Sequence, residues 1–315
     1  MMRILFYGLL LLITSCGRRT LTSEAVVTEA KVEDLQQEQP FRPVVVPDGL
    51  DEKAQRAYVR DHYWDQVDFS DSLFFATADS MQMLHAYVAY IAGLEPSDPQ
   101  PMQQLMARAA VSKQALDYFA WLAAMVLYDP NSPWRNGELY IPVLEALVQS
   151  PLLDQWEKIA PMYDLKLARR NRVGQKACDF NYTLASGKQA SLYALQSDYV
   201  LLFIHNPGCP MCREICEQII ASAPLSALIE QGKLCVLALY PDEDLTEWRK
   251  DQSEIPTSWI NAYDKGARIT ALSTYDLRAI PSLYLMDRQK RVLAKDETVV
   301  ARIEQLLEQA EKAAL

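Results

Sequence analysis

The sequence predicts an all-α domain followed by an α/β domain. In residues 48–172, apolar side chains recur three and four positions apart, as in Ser80 to Ala92 and Gln114 to Leu127, which is the spacing of helices that face a core. In residues 173–315, short apolar runs alternate with helical segments, which is the order of a sheet covered by helices. Because 50% of the 315 residues are hydrophobic, the chain can bury two cores.

The helical domain is expected to contain roughly five or six helices. Proline-rich stretches at Pro96 to Pro101 and Asp129 to Pro133 separate them, and two more helices follow at Ile141 to Gln149 and Leu153 to Arg169. Its histidines and tryptophans lack the spacing of metal ligands. They are therefore expected to be core and interface residues: His62, Trp64, His85, Trp121 and Trp134.

The run Tyr199 to Ile204 predicts the central strand of the second domain. Its apolar residues do not alternate with polar ones, so both faces of the strand should be covered. A hairpin is expected before it, with strands at Phe180 to Leu184 and Gln189 to Leu195. The later elements are expected to be strands at Leu234 to Tyr240, Ser282 to Met286 and Arg291 to Leu293, and helices at Leu245 to Gln252 and Glu297 to Ala313. Together they predict a three-layer α/β domain.

The first 15 residues are typical of a signal peptide. Arg3 precedes the apolar run Ile4 to Ile13, which is too short to span a bilayer. The run ends at Cys16 after small residues, which resembles a bacterial lipobox, so Cys16 is expected to carry lipid (palmitate) and to anchor the mature protein. We therefore expect a protein of the cell envelope that faces the periplasm, on the inner or the outer membrane. An ordinary secretory signal with an incidental cysteine is the alternative.

Residues 16–47 are expected to form the lipidated N-terminus and a flexible tether, because they are rich in Thr, Ser, Glu and Gln without a sustained period. The formal net charge of −10 becomes −11 once the signal peptide, with one Arg and no acid, is removed. This balance argues against nucleic-acid partners.

The pair Cys209 and Cys212, in Cys-Pro-Met-Cys, lies between the central strand and a predicted helix start. At a helix N-terminus the unpaired N–H groups and the helix dipole favour the thiolate, which is the form that attacks disulfides. Half of a zinc site or a structural disulfide are the alternatives, but a second ligand pair is missing, because Cys178 and Cys235 stand alone and no histidine follows His205. Beyond Cys16 the chain has five cysteines, an odd number, so at least one thiol stays unpaired within one molecule.

Four features together resemble the thioredoxin superfamily, and within it the exported thioredoxin-like lipoproteins related to the TlpA and ResA type of thiol-disulfide oxidoreductase. These features are the strand before Cys209, Trp248 with Trp259 to Asp264, the dipeptide Ile280-Pro281, and Ser282 to Lys290. The resemblance implies a thioredoxin fold in residues 173–315. The helical half is similar to a domain of unknown function found before such modules in lipoproteins of Bacteroides-like bacteria, notably in Tyr63-Trp64, Tyr128 to Pro133 and Tyr140 to Leu144.

The resemblance also implies a mechanism. Cys209 would be the nucleophile that attacks a substrate disulfide, and Cys212 would resolve the mixed disulfide. Pro281 would be a cis proline facing the dithiol, with a trans proline at the start of a strand as the alternative. Ile280, Pro281, Pro210 and Met211 would contact the substrate. The expected partners are protein disulfides or dithiols and an upstream membrane thiol reductant, and no cofactor is expected beyond the redox-active Cys209–Cys212 disulfide itself.

The sequence departs from thioredoxin at three positions. Gly208 stands where thioredoxin has a tryptophan, Phe203 where it has a buried carboxylate, and Pro210 where it has a glycine, so the proton relay and the direction of electron flow stay open. Cys216 falls on the same side of the predicted helix as Cys209 and Cys212. It is expected to be a buried small apolar residue, with a second resolving thiol as the alternative.

Three other functions are alternatives to disulfide exchange. A peroxiredoxin needs Pro and Thr or Ser where this chain has Leu202 and Asn206. A Sco-like metal carrier could use Cys212 and Cys216, but it needs a distant histidine, and none follows His205. A redox-regulated scaffold lipoprotein, whose helical domain holds a partner, stays open as the main alternative.

Overall fold

The first part of the molecule is a bundle of helices, as predicted. The computed structural model describes residues 44–314. Within that range, the α-helices of the helical part are α1 (Glu52–His62), α2 (Ser72–Thr77), α3 (Ser80–Ala92), α4 (Gln100–Ala109), α5 (Lys113–Ala123), α6 (Gly137–Gln149) and α7 (Ile159–Ala168), and α5 continues directly into a π-helix, Ala124–Tyr128. The number is higher than the five or six expected, because the segment before Ser80 forms two helices. Each of these begins at an aspartate, Asp51 or Asp71, whose side chain accepts hydrogen bonds from the first turn.

The predicted signal peptide 1–15, the predicted anchor Cys16 and residues 17–43 of the predicted tether lie outside the described residues. Among residues 44–314, no helix is both long enough and apolar enough to cross a membrane.

The core of the helical part is built around aromatic side chains. Trp64 packs edge-on against Phe119, with their ring centroids 5.1 Å apart, and both are buried. Of the three tryptophans expected in the core or an interface, only Trp64 is a core residue, because Trp121 and Trp134 are each 41% exposed. His85 is also exposed. These side chains lie on the outer faces of their helices or in the loop after α5.

The last helix of this part begins later than predicted. The sequence indicated a helix from Leu153, but residues 151–158 form turns and α7 starts at Ile159. The carboxylate of Asp154 accepts hydrogen bonds from the N–H groups of Trp156 and Glu157 and caps a separate short turn before α7.

The second part is a seven-stranded mixed sheet. Its strands are β1 (Asn181–Leu184), β2 (Gln189–Ser191), β3 (Tyr199–Ile204), β4 (Leu234–Tyr240), β5 (Ile260–Tyr263), β6 (Ser282–Asp287) and β7 (Val292–Glu297). They lie in the order β2-β1-β5-β4-β3-β6-β7. As predicted, β3 lies in the interior of the sheet and all six of its residues are buried. It pairs in parallel with β4 and antiparallel with β6.

Helices cover this sheet, which gives the three layers that the sequence predicts. They are α8 (Pro210–Ala221), α9 (Ala223–Glu230), α10 (Leu245–Lys250), α11 (Arg268–Leu272) and α12 (Val300–Ala314). Side chains alternate along β3: Phe203 lies in one core cluster with Ile215 of α8 and Ile303 of α12, whereas Leu202 lies in a second cluster with Tyr275. Strand β5 and helices α9 and α11 were missed because their short segments show no sustained period.

The helical part and the sheet part contact each other within one compact unit. At the junction, the buried amide of Asn171 donates through Nδ2 to the carbonyl of Thr274 and accepts through Oδ1 from the N–H of Cys178, both at 2.7 Å. The passage from α7 to β1 is therefore tied to the sheet domain by hydrogen bonds.

Candidate active site

Cys209 is the N-cap residue of α8, at the end of the loop that follows β3. The backbone N–H of Cys212 donates to the Sγ of Cys209 over 3.2 Å. Pro210 fits the first helical position, where its missing N–H has no intrahelical partner to lose. Gly208 has φ of +69°, a left-handed conformation that glycine adopts without strain, and this turn delivers Cys209 to the helix start.

The two sulfurs of the pair lie in different surroundings. Cys209 is partly exposed, whereas Cys212 is 4% exposed and accepts a long hydrogen bond at 3.5 Å from the N–H of Asn206. Burial, and then the hydrogen bond with Cys209, raises the pKa of the Cys212 thiol to about 12. The arrangement therefore presents one sulfur to solvent and keeps the other protonated behind it.

Cys216 lies one turn further along α8 and is buried, as expected. Its Sγ is 3.8 Å from the carbonyl oxygen of Glu254, and burial raises its pKa to about 11. All three cysteines, 209, 212 and 216, line one cavity of about 80 Å³. Cys178 and Cys235 lie outside that cavity, and all five described cysteines are free.

His205, which the sequence analysis did not select, lines the same cavity. It lies just beyond β3, and its ring stacks on Phe203 with the centroids 5.1 Å apart. Its Nε2 is buried without a hydrogen-bond partner among the described residues. Burial lowers its pKa to about 4, so the imidazole is neutral at pH 7. The available signal was a polar residue directly after a fully apolar strand.

Phe203 and Asp251 complete the surroundings of the dithiol. Phe203, at the position of the carboxylate in thioredoxin, is fully buried and packs edge-on against Trp259. Asp251 was also missed by the sequence analysis, and its carboxylate accepts a hydrogen bond of 2.9 Å from the N–H of Gly208. A carboxylate of the segment after α10 thus contacts the loop before Cys209, and the residue directly after β3 places an imidazole in the cavity.

Ile280 and Pro281 lie at the same edge of the sheet as Cys209. Ser282, the first residue of β6, pairs with Ile204, the last residue of β3, so the residues before Ser282 and after Ile204 leave the sheet together. The Ile280–Pro281 peptide bond is cis, as the resemblance implied. Ile280 and Cys209 both pack against the core cluster that contains Cys212.

The remaining residues singled out from the sequence divide into two groups. Pro210 and Met211 are exposed beside Cys209, where an approaching molecule can reach them. Trp248 is buried and donates from Nε1 to Oδ1 of Asn261 at 3.0 Å, so it supports the fold at some distance from the sulfurs. Between residues 44 and 314, no three His, Cys, Asp or Glu side chains are grouped so as to hold a metal ion.

The chain is similar to a solved structure over most of its length. The crystal structure of a thioredoxin-like protein from Bacteroides caccae is 42% identical and matches 86% of this chain and 99% of the other, with a TM-score of 0.81. The chain belongs to the thioredoxin-like proteins. Residues 15–171 match a family model described as a domain of unknown function, DUF5106. The fold expected from the sequence, a helical region before a thioredoxin fold, is thereby confirmed.

Two further solved structures match less than half of this thioredoxin-like protein. One is the C-terminal domain of an uncharacterized protein from Bacteroides fragilis, 46% identical over 44% of this chain and 98% of the other, with a TM-score of 0.43. The other is the thioredoxin domain of a thiol-disulfide oxidoreductase from Bacteroides vulgatus, 19% identical over 42% of this chain and 96% of the other, with a TM-score of 0.37. No curated protein matches the chain.

Proposed function

We propose that this thioredoxin-like protein is a thiol-disulfide oxidoreductase that exchanges disulfides with protein substrates through Cys209 and Cys212. The observation that carries the proposal is the asymmetry of the pair. Cys209 is accessible and its Sγ accepts the N–H of Cys212 at a helix N-terminus, whereas Cys212 is buried directly behind it. An N–H donor and a helix dipole aimed at sulfur stabilise the thiolate, both when it attacks and when it leaves.

The reaction would run in two exchanges. The Cys209 thiolate attacks one sulfur of a substrate disulfide, forms a mixed disulfide and releases the other substrate sulfur as a thiolate. Cys212 then loses its proton and attacks the Sγ of Cys209. The mixed bond breaks, the substrate leaves as a dithiol and the protein retains the Cys209–Cys212 disulfide. Two electrons pass from the protein to the substrate, and run backwards the same steps oxidise a substrate dithiol.

The second exchange needs an acceptor for the proton of Cys212, because the pKa of that thiol is about 12. His205 supplies a neutral imidazole in the same cavity, and a neutral imidazole has one acceptor nitrogen. The cavity of about 80 Å³ has room for a water molecule between the two groups. An imidazole with a pKa of about 4 is too weak a base to keep this proton, so we assign to His205 the orientation of the water molecule that carries the proton away.

Substrate docking is assigned to the residues beside the sulfurs. Proline has no N–H, so the backbone around Ile280 and Pro281 is free to bind an extended substrate chain at the sheet edge. Pro210 and Met211, which are exposed beside Cys209, would contact the same segment. The physiological partners in this proposal are exported proteins with disulfides and a membrane thiol reductant that restores the dithiol.

The proposed location is the cell envelope, with Cys16 as a lipid anchor. Metabolic labelling with a palmitate analogue tests it, because the parent protein should take up label and the Cys16→Ser variant should not. If the parent protein takes up no label, the proposed lipid anchor is wrong, while the proposed disulfide exchange through Cys209 and Cys212 is unaffected.

The activity is tested by reduction of insulin disulfides with dithiothreitol as the electron source. The parent should accelerate the reaction, Cys209→Ser should abolish the acceleration, and Cys178→Ser, outside the cavity, is the matched control. Cys212→Ser should accumulate a mixed disulfide with the substrate. If Cys209→Ser reduces insulin at the parent rate, the proposal fails. If the parent dithiol cycles with dithiothreitol but reduces no protein disulfide, the redox-regulated scaffold is favoured.

A further inference from the structure

The loop that leads into Ile280 and Pro281 is held from outside the sheet domain. Residues 273–279 join α11 to the Ile280–Pro281 dipeptide, and side chains of the helical part contact this loop. We propose that the helical part is a positioning element for the Ile280–Pro281 dipeptide and thereby sets the affinity for protein substrates. The positioning residues are Tyr128, Arg135, Tyr163 and Asn171. The consequence for substrates rests on the proposed function, but the positioning itself does not.

Two neutral side chains hold the start of the loop. Asn171 donates to the carbonyl oxygen of Thr274 at 2.7 Å. The hydroxyl oxygens of Ser273 and Tyr163, of α7, lie 3.3 Å apart. Because Asn171, Ser273 and Thr274 are buried, the loss of such contacts leaves polar groups unsatisfied, and this raises the cost of moving the loop.

A charged cluster holds the middle of the loop. The guanidinium of Arg135 lies 3.2 Å from the carboxylate of Asp276. Arg278 also binds Asp276, through its side chain and through its backbone N–H at 3.0 Å. The guanidinium of Arg278 in turn lies 3.5 Å above the centre of the Tyr128 ring. The helical part therefore contacts this carboxylate directly through Arg135 and indirectly through Tyr128 and Arg278.

Arg135 also contacts a carboxylate on the other side of the Ile280–Pro281 dipeptide. Arg135 lies 3.5 Å from the carboxylate of Asp296 on β7. Asp296 accepts a hydrogen bond from Oγ of Ser282 at 3.2 Å and another from the hydroxyl of Tyr284. Ser282 is the residue directly after Pro281. The guanidinium of Arg135 thus contacts Asp276, which lies four residues before Ile280. It also contacts Asp296, which binds Ser282 directly after Pro281.

Replacing the guanidinium of Arg135 with water is expected to destabilise the contact between the helical part and the loop. Asp276 is 6% exposed, and burial together with the nearby Asp296 raises its pKa. Without the guanidinium, two carboxylates face each other in a poorly hydrated place, with Lys295 and Arg278 as the remaining cations around them. Lys295 is itself held by the helical part, through the carbonyl oxygens of Ala168 at 2.9 Å and Arg170 at 2.8 Å.

The helical side of the contact is itself well supported. Tyr128 and Arg135 lie within the connection between α5 and α6, in which Oγ of Ser132 donates to the carbonyl of Val126 at 2.5 Å. The N–H of Asn136 donates to the carbonyl of Leu127 at 3.0 Å and closes this loop. The hydroxyl of Tyr128 donates to Asp164 of α7 at 2.5 Å. A loop held in this way can serve as a fixed support.

The test compares Arg135→Met with the parent, with Arg135→Lys as the conservative rescue. Arg169→Met is the matched control, since Arg169 is an exposed arginine of the helical part paired with Glu145. Amide hydrogen exchange in residues 273–284 should rise about tenfold in Arg135→Met and stay at the parent rate in Arg169→Met. KM for insulin should rise about fivefold, with kcat and the rate of a small disulfide such as dithionitrobenzoate nearly unchanged. For Arg135→Lys, the exchange rate and the KM for insulin should lie between those of the parent and those of Arg135→Met.

Exchange in residues 273–284 that stays at the parent rate in a folded Arg135→Met protein would overturn the positioning role. If Arg135→Met does not fold, Tyr128→Leu, which keeps every ion pair, carries the same test. If the parent reduces no insulin, the proposed function fails while the exchange result still decides the positioning. Raised exchange with an unchanged KM for insulin would overturn the link to substrate affinity.

Discussion

The ring of His205 stacks on that of Phe203 at 5.1 Å and faces the cavity that the cysteines line. This contact keeps a titratable side chain out of water. Its pKa is lowered from 6.5 to about 4 by burial, and its Nε2 has no described hydrogen-bond partner. The pair therefore sets a measurable dependence of stability on pH.

His205 should make the protein less stable in mild acid. The unfolded chain binds a proton as the pH falls through 6.5, while the folded protein excludes it until the pH reaches about 4, so stability present above pH 6.5 is lost across this window. The parent should lose about 3 kcal/mol more than His205→Gln between pH 7 and pH 4. Urea unfolding at both pH values measures this, with the exposed His85→Gln as control. Parallel losses in parent and His205→Gln would contradict it.

Asp164 should make the protein less stable as the pH rises, which is opposite to the effect of His205. Burial raises its pKa from 3.8 to about 6, so the stability that it contributes is present below pH 3.8 and is lost as the pH rises through about 6. Asp164→Asn removes this loss and still accepts the hydroxyl of Tyr128. The melting temperature of the variant should therefore gain on that of the parent between pH 4 and pH 7. A constant difference would show that Asp164 ionises in the fold without penalty.

Alkylation should distinguish the three cysteines of α8. In the reduced protein at pH 8, iodoacetamide should modify Cys209 at least about tenfold faster than Cys212 or Cys216, because their pKa values of about 12 and about 11 leave little thiolate. Labelling of the two buried thiols should rise with pH up to 10. Mass spectrometry of the modified peptides gives the three rates. Equal rates for Cys209 and Cys212 would contradict the asymmetry of the pair.

Gly208 should be costly to replace for a conformational reason alone. Its φ is +69°, and a Cβ placed there would meet no atom within 4 Å. Gly208→Ala should therefore lower the free energy of unfolding by about 1 to 2 kcal/mol, the cost of a left-handed backbone for a residue with a side chain. Gly137→Ala is the matched control, since a Cβ there also has open space but φ is not positive. It should be neutral or stabilising at the first position of α6.

The sequence predicted the central strand, both structural parts and the position of the dithiol because these features are local. Tyr199 to Ile204 is apolar at every position, and Cys209 with Pro210 marks a helix start by itself. The role of Arg135 could not be predicted, since Asp276 and Asp296 lie far from it in sequence. His205 was missed for a related reason, because a single histidine has no periodic pattern and its burial depends on packing against Phe203.

Arg135, Asn171 and Lys295 have a consequence for how the molecule unfolds. Each places a polar or charged group in the junction, where its partners belong to the opposite part of the chain. If either part unfolded alone, the other would lose these hydrogen bonds and ion pairs together with the packing of the junction, and its own stability would fall. The two hydrophobic cores look separable in the sequence, but they should share one cooperative melting transition. A shortened chain that begins near Val173 should therefore melt at a lower temperature than the same residues do in the intact protein.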